Sequence, residues 1–481
     1  MRISLIDLAI IVAYLAGITA FGAHFRRGQK NLRDYFLGGR TAPWWAIAGS
    51  IVATETSTLT IIGTPAIAYA GNLAFLQLVM GYLVARVILC VVLVPQYFQG
   101  EFYTAYQLLE KRFGARMKRA AAVVFMATRA LAEGVRISAI GKVVSVAFGT
   151  GEKWSIAIVA ALTLAYTFEG GMRAVIWTDV AQLALYLSGS LAAFALLLHK
   201  IPGGWTEVTQ AAAVAGGKLR VFDFAFSLTK SYTFWSGLIG GTFLTMASHG
   251  TDQTMVQRLL AARSERDSKR ALLGSGVVVF AQFALFLIIG VMLFVFAQHA
   301  SLAVPADTDR IFPEFVVTQM PVGLAGLVLA SIFAMAMSNA SGSLNSLASS
   351  SVIDLAPRGA EASVSTPAGG SLNLLGRSRR LTLLWGVVLG SLGLVPWGGV
   401  LEAGLTIASI TYGGLLGVFL LGSWNRRANE AGALMGFAAG IIAMIAVRFY
   451  TPLAFTWYVL AGTILTFAAG SLASLAAIRR A

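Results

Sequence analysis

The chain has 481 residues, of which 57% are hydrophobic and only 12% charged. A soluble domain carries about 25% charged residues, and the apolar residues here fall in runs of roughly 20, the length that crosses about 30 Å of hydrocarbon. A water-soluble domain of any size is therefore excluded. The net charge of +15 is no nucleic-acid footprint either, because the basic residues collect in alternate loops instead of in one patch.

The lone cysteine, Cys90, lies in an apolar run and rules out an internal disulfide or a thiolate metal cluster. His24, His199, His249 and His299 show no metal-ligand spacing. The apolar run from Leu5 is too long for a cleavable signal and leads into the basic HFRR.

Hydropathy predicts thirteen spans, at about 4–23, 44–70, 74–98, 119–147, 153–171, 175–199, 233–256, 271–297, 321–350, 380–397, 400–423, 430–447 and 453–477. Lys and Arg in the loops after odd-numbered spans, with the tail, outnumber those on the other side by about three to one. That bias places the N-terminus outside and the C-terminus in the cytoplasm of a multi-pass protein of the plasma (inner) membrane. An odd number of spans with flanking helices leaves room for an internal five-plus-five repeat. The Gly-, Ser- and Pro-rich stretch 358–380 reads as a flexible cytoplasmic loop within a single transporter domain.

Ionisable residues inside spans are functional candidates, since the alternative is an unpaired charge in lipid. They are Glu55, Arg86, Arg129, Glu133, Arg136, Asp179 and Asp252. The first polar stretch, IVATETSTLTIIGTPAIAYAG (51–71), surrounds Glu55 with hydroxyls and adds Gly63 and Pro65. These breakers predict an interrupted helix, tolerated at membrane depth only beside protein or a water-filled cavity. Its carbonyls and hydroxyls are hard oxygen ligands suited to an alkali cation. The same residues also suit a Pro-kinked helix whose hydroxyls bond back to their own backbone.

Next, Glu133 and Arg136 stand three apart on one helix face, so internal pairing competes with any ligand for the guanidinium. FEGGMRAVIWTDVAQ places Asp179 one turn into a span, where a carboxylate also favours the helix dipole. SHGTDQTMVQR ends a span with Gly250 and Asp252, as a cytoplasmic cap would. In ASIFAMAMSNASGSLNSLASSSVIDL, Ser338, Ser341, Asn345 and Ser349 form one polar stripe. Such a stripe serves ion ligation or close helix packing.

Taken together, DYFLGGR, GTPAIAY, TAYQLLEKRFG, GGMRAVIWTDVAQ, TDQTMVQR and MSNASGSLNSLASSSVIDL, in this order, resemble the sodium/solute symporter family over nearly the whole chain. The resemblance implies an all-α LeuT-type fold with discontinuous core helices. Two inverted repeats would span about 44–199 and 233–423, with peripheral helices at 4–23, 430–447 and 453–477. It also implies alternating access driven by sodium, with no other cofactor. The partners it implies are a solute, sodium and the bilayer, with neither nucleic acid nor an obligatory protein partner.

Carried over by residue, the resemblance places sodium on the carbonyls of Ala53, Thr56 and Met335 and the side chains of Ser338 and Asn339. Asn339 departs from the Ser or Thr usual there, but an amide oxygen still coordinates a cation. A second sodium, which some members hold, would use Asp179, Ser338 and Ser341, but Gly342 stands in place of the last hydroxyl. Solute is expected against the break, near Glu55, Ser57, Thr58, Thr60, Gln77, Arg136 and Asp252. Arg136 is the residue able to fork onto a carboxylate. TIIGTPAIAYAG leans towards the branch carrying monocarboxylates, vitamins and small anions, with sugar, amino-acid and sialic-acid carriers as alternatives.

Other classes fit less well. There is no GxxxxGK[ST] loop for ATP, nor a HExxH or paired-histidine constellation for an intramembrane enzyme. Proton coupling through Glu55 is an alternative to sodium, because burial raises a carboxylate pKa. The sodium assignment is tested by Ser338→Ala, which should raise the sodium concentration for half-maximal uptake. An unchanged sodium dependence removes Ser338 from the site.

Overall fold

The computed structural model describes residues 3–24, 37–99, 102, 104–158, 172–299, 305–353, 355 and 371–478. The side chains of Ser338, Ser341, Asn345 and Ser349 lie outside the described set, as does most of the span predicted at 153–171. Among the described residues the fold is helical, and its one β feature is an isolated bridge between Ala42 and Ala262. Among the described residues, seven helices are long and apolar enough to cross a membrane, or eight when one sharply bent pair is taken as a single span.

Helix α1 covers Leu5–His24, followed by α2 (Trp44–Glu55) and α3 (Thr58–Ala70). These last two form the bent pair, with 62° between them. The joint is Thr56 and Ser57, both extended, with φ/ψ of −83°/94° and −100°/177°. Gly63 and Pro65, named above as the breakers, sit inside α3, so the break lies a full turn or more N-terminal to them. Gly63 is instead a packing glycine: a Cβ there would stand 2.6 Å from the Leu401 Cβ.

Next come α4 (Leu76–Val92), α5 (Tyr106–Phe113), α6 (Ala115–Phe148), α7 (Met172–Lys200) and α8 (Gly204–Val214). A second discontinuity separates α9 (Phe234–Gly250) from α10 (Gln253–Leu260). Asp252 caps α10 there by accepting the Thr254 N–H at 2.8 Å. The predicted span 233–256 is thus two helices. Beyond it run α11 (Glu265–His299), α12 (Ile311–Gln319), α13 (Leu324–Ile353), α14 (Ser371–Gly393), α15 (Val400–Trp424), α16 (Glu430–Tyr450) and α17 (Tyr458–Ile478). Residues 371–380, read above as loop, belong to α14.

Packing follows small residues, as expected where lipid tails compete equally for apolar surface. Helices α4 and α9 lie against each other along Gly81, Gly237 and Gly241. Helix α11 backs both halves of the first broken pair, and α7 lies against α2. Outside the central region, Lys142 of α6 bonds Asp309 at 2.8 Å, and the Val400 N–H donates to the same carboxylate at 3.1 Å, which fixes the start of α15. Asp7 of α1 similarly accepts the N–H groups of Gly323 and Gly326, both at 2.8 Å, at the start of α13.

A Cβ at Gly81 would stand 2.5 Å from the Leu238 carbonyl and 2.6 Å from the Thr242 nitrogen. Gly81→Leu should therefore cost about 1–3 kcal/mol by overpacking, read as a lower thermal midpoint of the purified protein. Gly17→Ala, with nothing within 4 Å of its new methyl, should leave the midpoint unchanged.

Candidate functional site

The backbone ladder of α2 ends with the Thr56 N–H on the Val52 carbonyl (2.8 Å) and resumes with Thr60 and Ile61 on the Ser57 carbonyl (2.9 and 3.3 Å). The carbonyls of Ala53, Thr54 and Glu55 fall in that gap. Helix ends in a protein interior leave such acceptors needing a partner. The Thr56 hydroxyl is held from behind: Gln282 Nε2 donates to it at 2.6 Å, and Tyr186 OH donates to Gln282 Oε1 at 3.0 Å. Met335 is buried in α13 and Asn339 half-buried four residues on. A set of neutral oxygens beside a helix C-terminus, where the dipole is negative, suits a small monovalent cation. The side chains of Ser338 and Ser341, the other expected ligands, lie outside the described residues.

Beside this gap is a cavity of about 150 Å³, walled by the two breaks and by α4, α6, α11 and α15. Of the expected solute residues, Glu55, Ser57, Thr60, Arg136 and Asp252 line it. Two do not. Thr58 is buried away from it, its hydroxyl without a partner among the described residues. Gln77 turns to the loop before α9, accepting the Asp223 N–H at 3.0 Å and donating to the Tyr232 carbonyl at 3.3 Å. Its amide organises that loop instead of meeting solute.

Three buried ionic groups lie in the core; the first two reach the cavity wall through Glu55, His249, Arg129 and Arg136, and the third does not line it. Glu55 is bonded by Arg86 Nη2, and its Oε2 lies 3.4 Å from His249 Nε2. Arg86 also donates to the Tyr82 carbonyl at 3.1 Å, and Ser248 stands 2.9 Å from His249 Nδ1. The second group joins α6 to α13: Ser343 donates to Glu133 at 2.7 Å and accepts from Arg129 Nε at 2.8 Å. Arg136 Nη1 donates to the same Glu133 oxygen at 3.0 Å. Its Nε is buried without a partner among the described residues. In the third group, Asp179 takes Arg258 Nη2 at 3.0 Å and Ser50 Oγ at 2.6 Å.

Sequence reasoning missed His249, dismissed for lacking metal-ligand spacing, and Tyr412, whose OH donates to Asp252 at 3.0 Å. A histidine two residues before the Thr251–Asp252 break was the available signal for the first. The Glu133–Arg136 pairing was visible from its spacing; the Glu55–Arg86 pairing, across 31 residues, was not.

With two broken helices meeting at an oxygen-rich gap, similarity decides the family. The model of the sodium:solute symporter family matches residues 35–440. The chain belongs to that family.

Like the rest of the family, this symporter is a transporter and not an enzyme, and it couples solute movement to sodium. A sodium/sialic acid symporter of Proteus mirabilis (strain HI4320) is 31% identical, over 97% of this chain and 94% of the relative. The human sodium/iodide cotransporter is 29% identical, over 90% of this symporter and 67% of its own length. Among solved structures, the substrate-bound outward-open state of a Na+-coupled sialic acid symporter superimposes with a TM-score of 0.85. It is 30% identical and covers 98% of both chains. The nucleobase-cation-symport-1 transporter Mhp1, closed with bromovinylhydantoin bound, gives 0.58 at 11% identity over 93% of this chain and 96% of its own, a likeness of fold alone.

The symporter's buried Glu55–Arg86 pair makes a sharp demand. Arg86→Gln strands a carboxylate in the interior and should cost about 3–5 kcal/mol, read as a large fall in thermal midpoint. Adding Glu55→Gln should recover most of that loss. Equal stability of Arg86→Gln and wild type shows that Glu55 does not depend on Arg86.

Proposed function

We propose that this symporter imports a carboxylate-bearing solute, with a sialic acid the leading candidate, using sodium bound at Ala53, Thr56, Met335, Ser338 and Asn339. The observation that carries the solute reading is the Arg136 guanidinium, which lines the cavity with one nitrogen spent on Glu133 and a buried Nε without a partner among the described residues. A carboxylate in the cavity can fork onto such a guanidinium with charge-assisted bonds. Ser57, Thr60, Thr245 and Ser248 add hydroxyls for a polyol or amide, and Phe75 and Phe283 add apolar walls. The names of the relatives agree in chemistry, since sialic acid, iodide and monocarboxylates are all anions.

One sodium per cycle fits this chain better than two. The Asp179 carboxylate, which a second ion would need, is already neutralised by Arg258 and bonded by Ser50. Proton coupling through Glu55 is disfavoured for a similar reason: a carboxylate held by Arg86 gives up its charge only at high cost. The proposal includes thirteen spans in two inverted repeats, an outside N-terminus, a cytoplasmic C-terminus and placement in the plasma (inner) membrane.

Uptake into proteoliposomes, with sodium and proton gradients imposed separately, tests this. Sialic acid should accumulate with a sodium gradient, and Arg136→Gln should raise its KM by roughly ten- to a hundredfold, the worth of a bond to a charged group. Accumulation driven by a proton gradient without sodium overturns the coupling assignment. An unaltered KM in Arg136→Gln overturns the carboxylate assignment.

A further inference from the structure

A second cavity, of about 370 Å³, lies away from the solute site at the N-terminal end of α2. Its walls come from three places in the chain. The turn before α2 supplies Gly38 and Thr41, the first turns of α7 supply Arg173, Ile176 and Trp177, and the link from α10 to α11 supplies Arg263. The turn is unusual in its backbone, with Gly38, Gly39 and Arg40 all left-handed at φ of 57°, 65° and 55°. Gly38 needs both that conformation and its missing side chain, since a Cβ would meet the Arg173 nitrogen at 3.3 Å. The Ala42–Ala262 bridge and the bond from Arg263 Nε to the Thr41 carbonyl (2.9 Å) close the turn onto the α10–α11 link.

The result is a built concavity with two guanidiniums, from separate elements, and no carboxylate among its described lining residues. Arg40, in the same turn, keeps a buried Nε without a partner among the described residues. Two forked cations around one hollow match a phosphate oxygen set better than a point charge does. The hollow's position says what carries the phosphate. Trp177 stands edge-on to Trp45, with ring centroids 5.5 Å apart, and both Trp44 and Trp45 are exposed on α2. Tryptophans exposed at the end of a span mark the level of the lipid headgroups, and basic hollows between spans at the cytoplasmic leaflet receive anionic ones.

We propose that this cavity binds the phosphodiester headgroup of an anionic phospholipid such as phosphatidylglycerol. The leaflet assignment rests on the orientation proposed above; the binding does not. A headgroup seated here bridges the first half of one broken helix and the segment leaving the second half of the other.

The test compares the purified full chain in nanodiscs of phosphatidylcholine with and without phosphatidylglycerol, which expose both leaflets whatever the orientation. Phosphatidylglycerol should raise the thermal midpoint of the wild type. In Arg173→Gln/Arg263→Gln the apparent affinity for that lipid, from titrating its fraction, should fall roughly tenfold or more, at about 1 kcal/mol per arginine. Thr41→Asp, which keeps both arginines and adds a carboxylate at the hollow, should lose the shift as well. This second variant decides the matter should the double variant be unstable in phosphatidylcholine alone. A shift of wild-type size in the variants overturns the site. Stabilisation by soluble glycerol phosphate in phosphatidylcholine discs, equal to that by the lipid, overturns the lipid assignment. A loop-labelling experiment that reversed the orientation would leave the binding result standing and move it to the other leaflet.

Discussion

A helix that stops in the middle of a membrane must find partners for its last carbonyls, and most of this structure answers to that constraint. At Thr56 and Ser57 the α2 ladder lapses, and the carbonyls of Ala53, Thr54 and Glu55 are left facing the interior. Water cannot serve them freely at that depth, and lipid cannot serve them at all. Under the function proposed above, a monovalent cation does. Its binding then depends on how firmly the gap is held open, and here Gln282 and Tyr186 hold the Thr56 hydroxyl from α11 and α7. The rest of the core is arranged so that this exposed end stays in place.

The same economy governs the charges. Glu55 would be a poor neighbour for a weakly bound sodium if it were free, because it would trap the ion. Paired with Arg86 and set beside His249, it contributes little net charge and keeps the break rigid. Asp179 is neutralised by Arg258 in a comparable way. Arg136 differs, since Glu133 is shared with Ser343 and the arginine's Nε has no partner among the described residues. Buried ion pairs of this kind add little net stability compared with apolar packing, but breaking one is costly. They therefore fix geometry more than they strengthen the fold.

Much of this was legible in the sequence, and the failures have physical causes. Among the described residues, hydropathy located the seven helices long and apolar enough to cross a membrane, and the bent pair beside them, because a bilayer fixes the length and composition of a span. The first discontinuity was recognised, and the resemblance put its carbonyls at Ala53 and Thr56, but the breaker residues alone did not locate it. Gly63 and Pro65 are the residues that locally weaken a helix, yet α3 runs through both. The extended Thr56 is stabilised by Gln282, 226 residues away. The second discontinuity was masked by an apolar stretch that reads as continuous through Gly250. The family resemblance put Gln77 near the solute, but its partners are in a loop that no local pattern reveals. Spacing of three or four residues exposes pairs such as Glu133 and Arg136. Pairs that meet through the fold, such as Glu55 and Arg86, leave no local trace.

The glycine seam between α4 and α9 has a mechanical meaning. With Gly81 against the backbone of Leu238 and Thr242, and Gly237 against Gln77, the two helices touch main chain to main chain. Such a contact has no side chains that could change rotamer to let one helix slide over the other, so the pair behaves as one strut. Strain from a moving partner cannot be absorbed along it and is delivered to the nearest compliant point. For α9 that point is Thr251–Asp252, immediately beyond its last turn. A helix pair built this way is stiff along its length and yields at the short joint beyond α9, so it moves as a linkage instead of as a breathing solid.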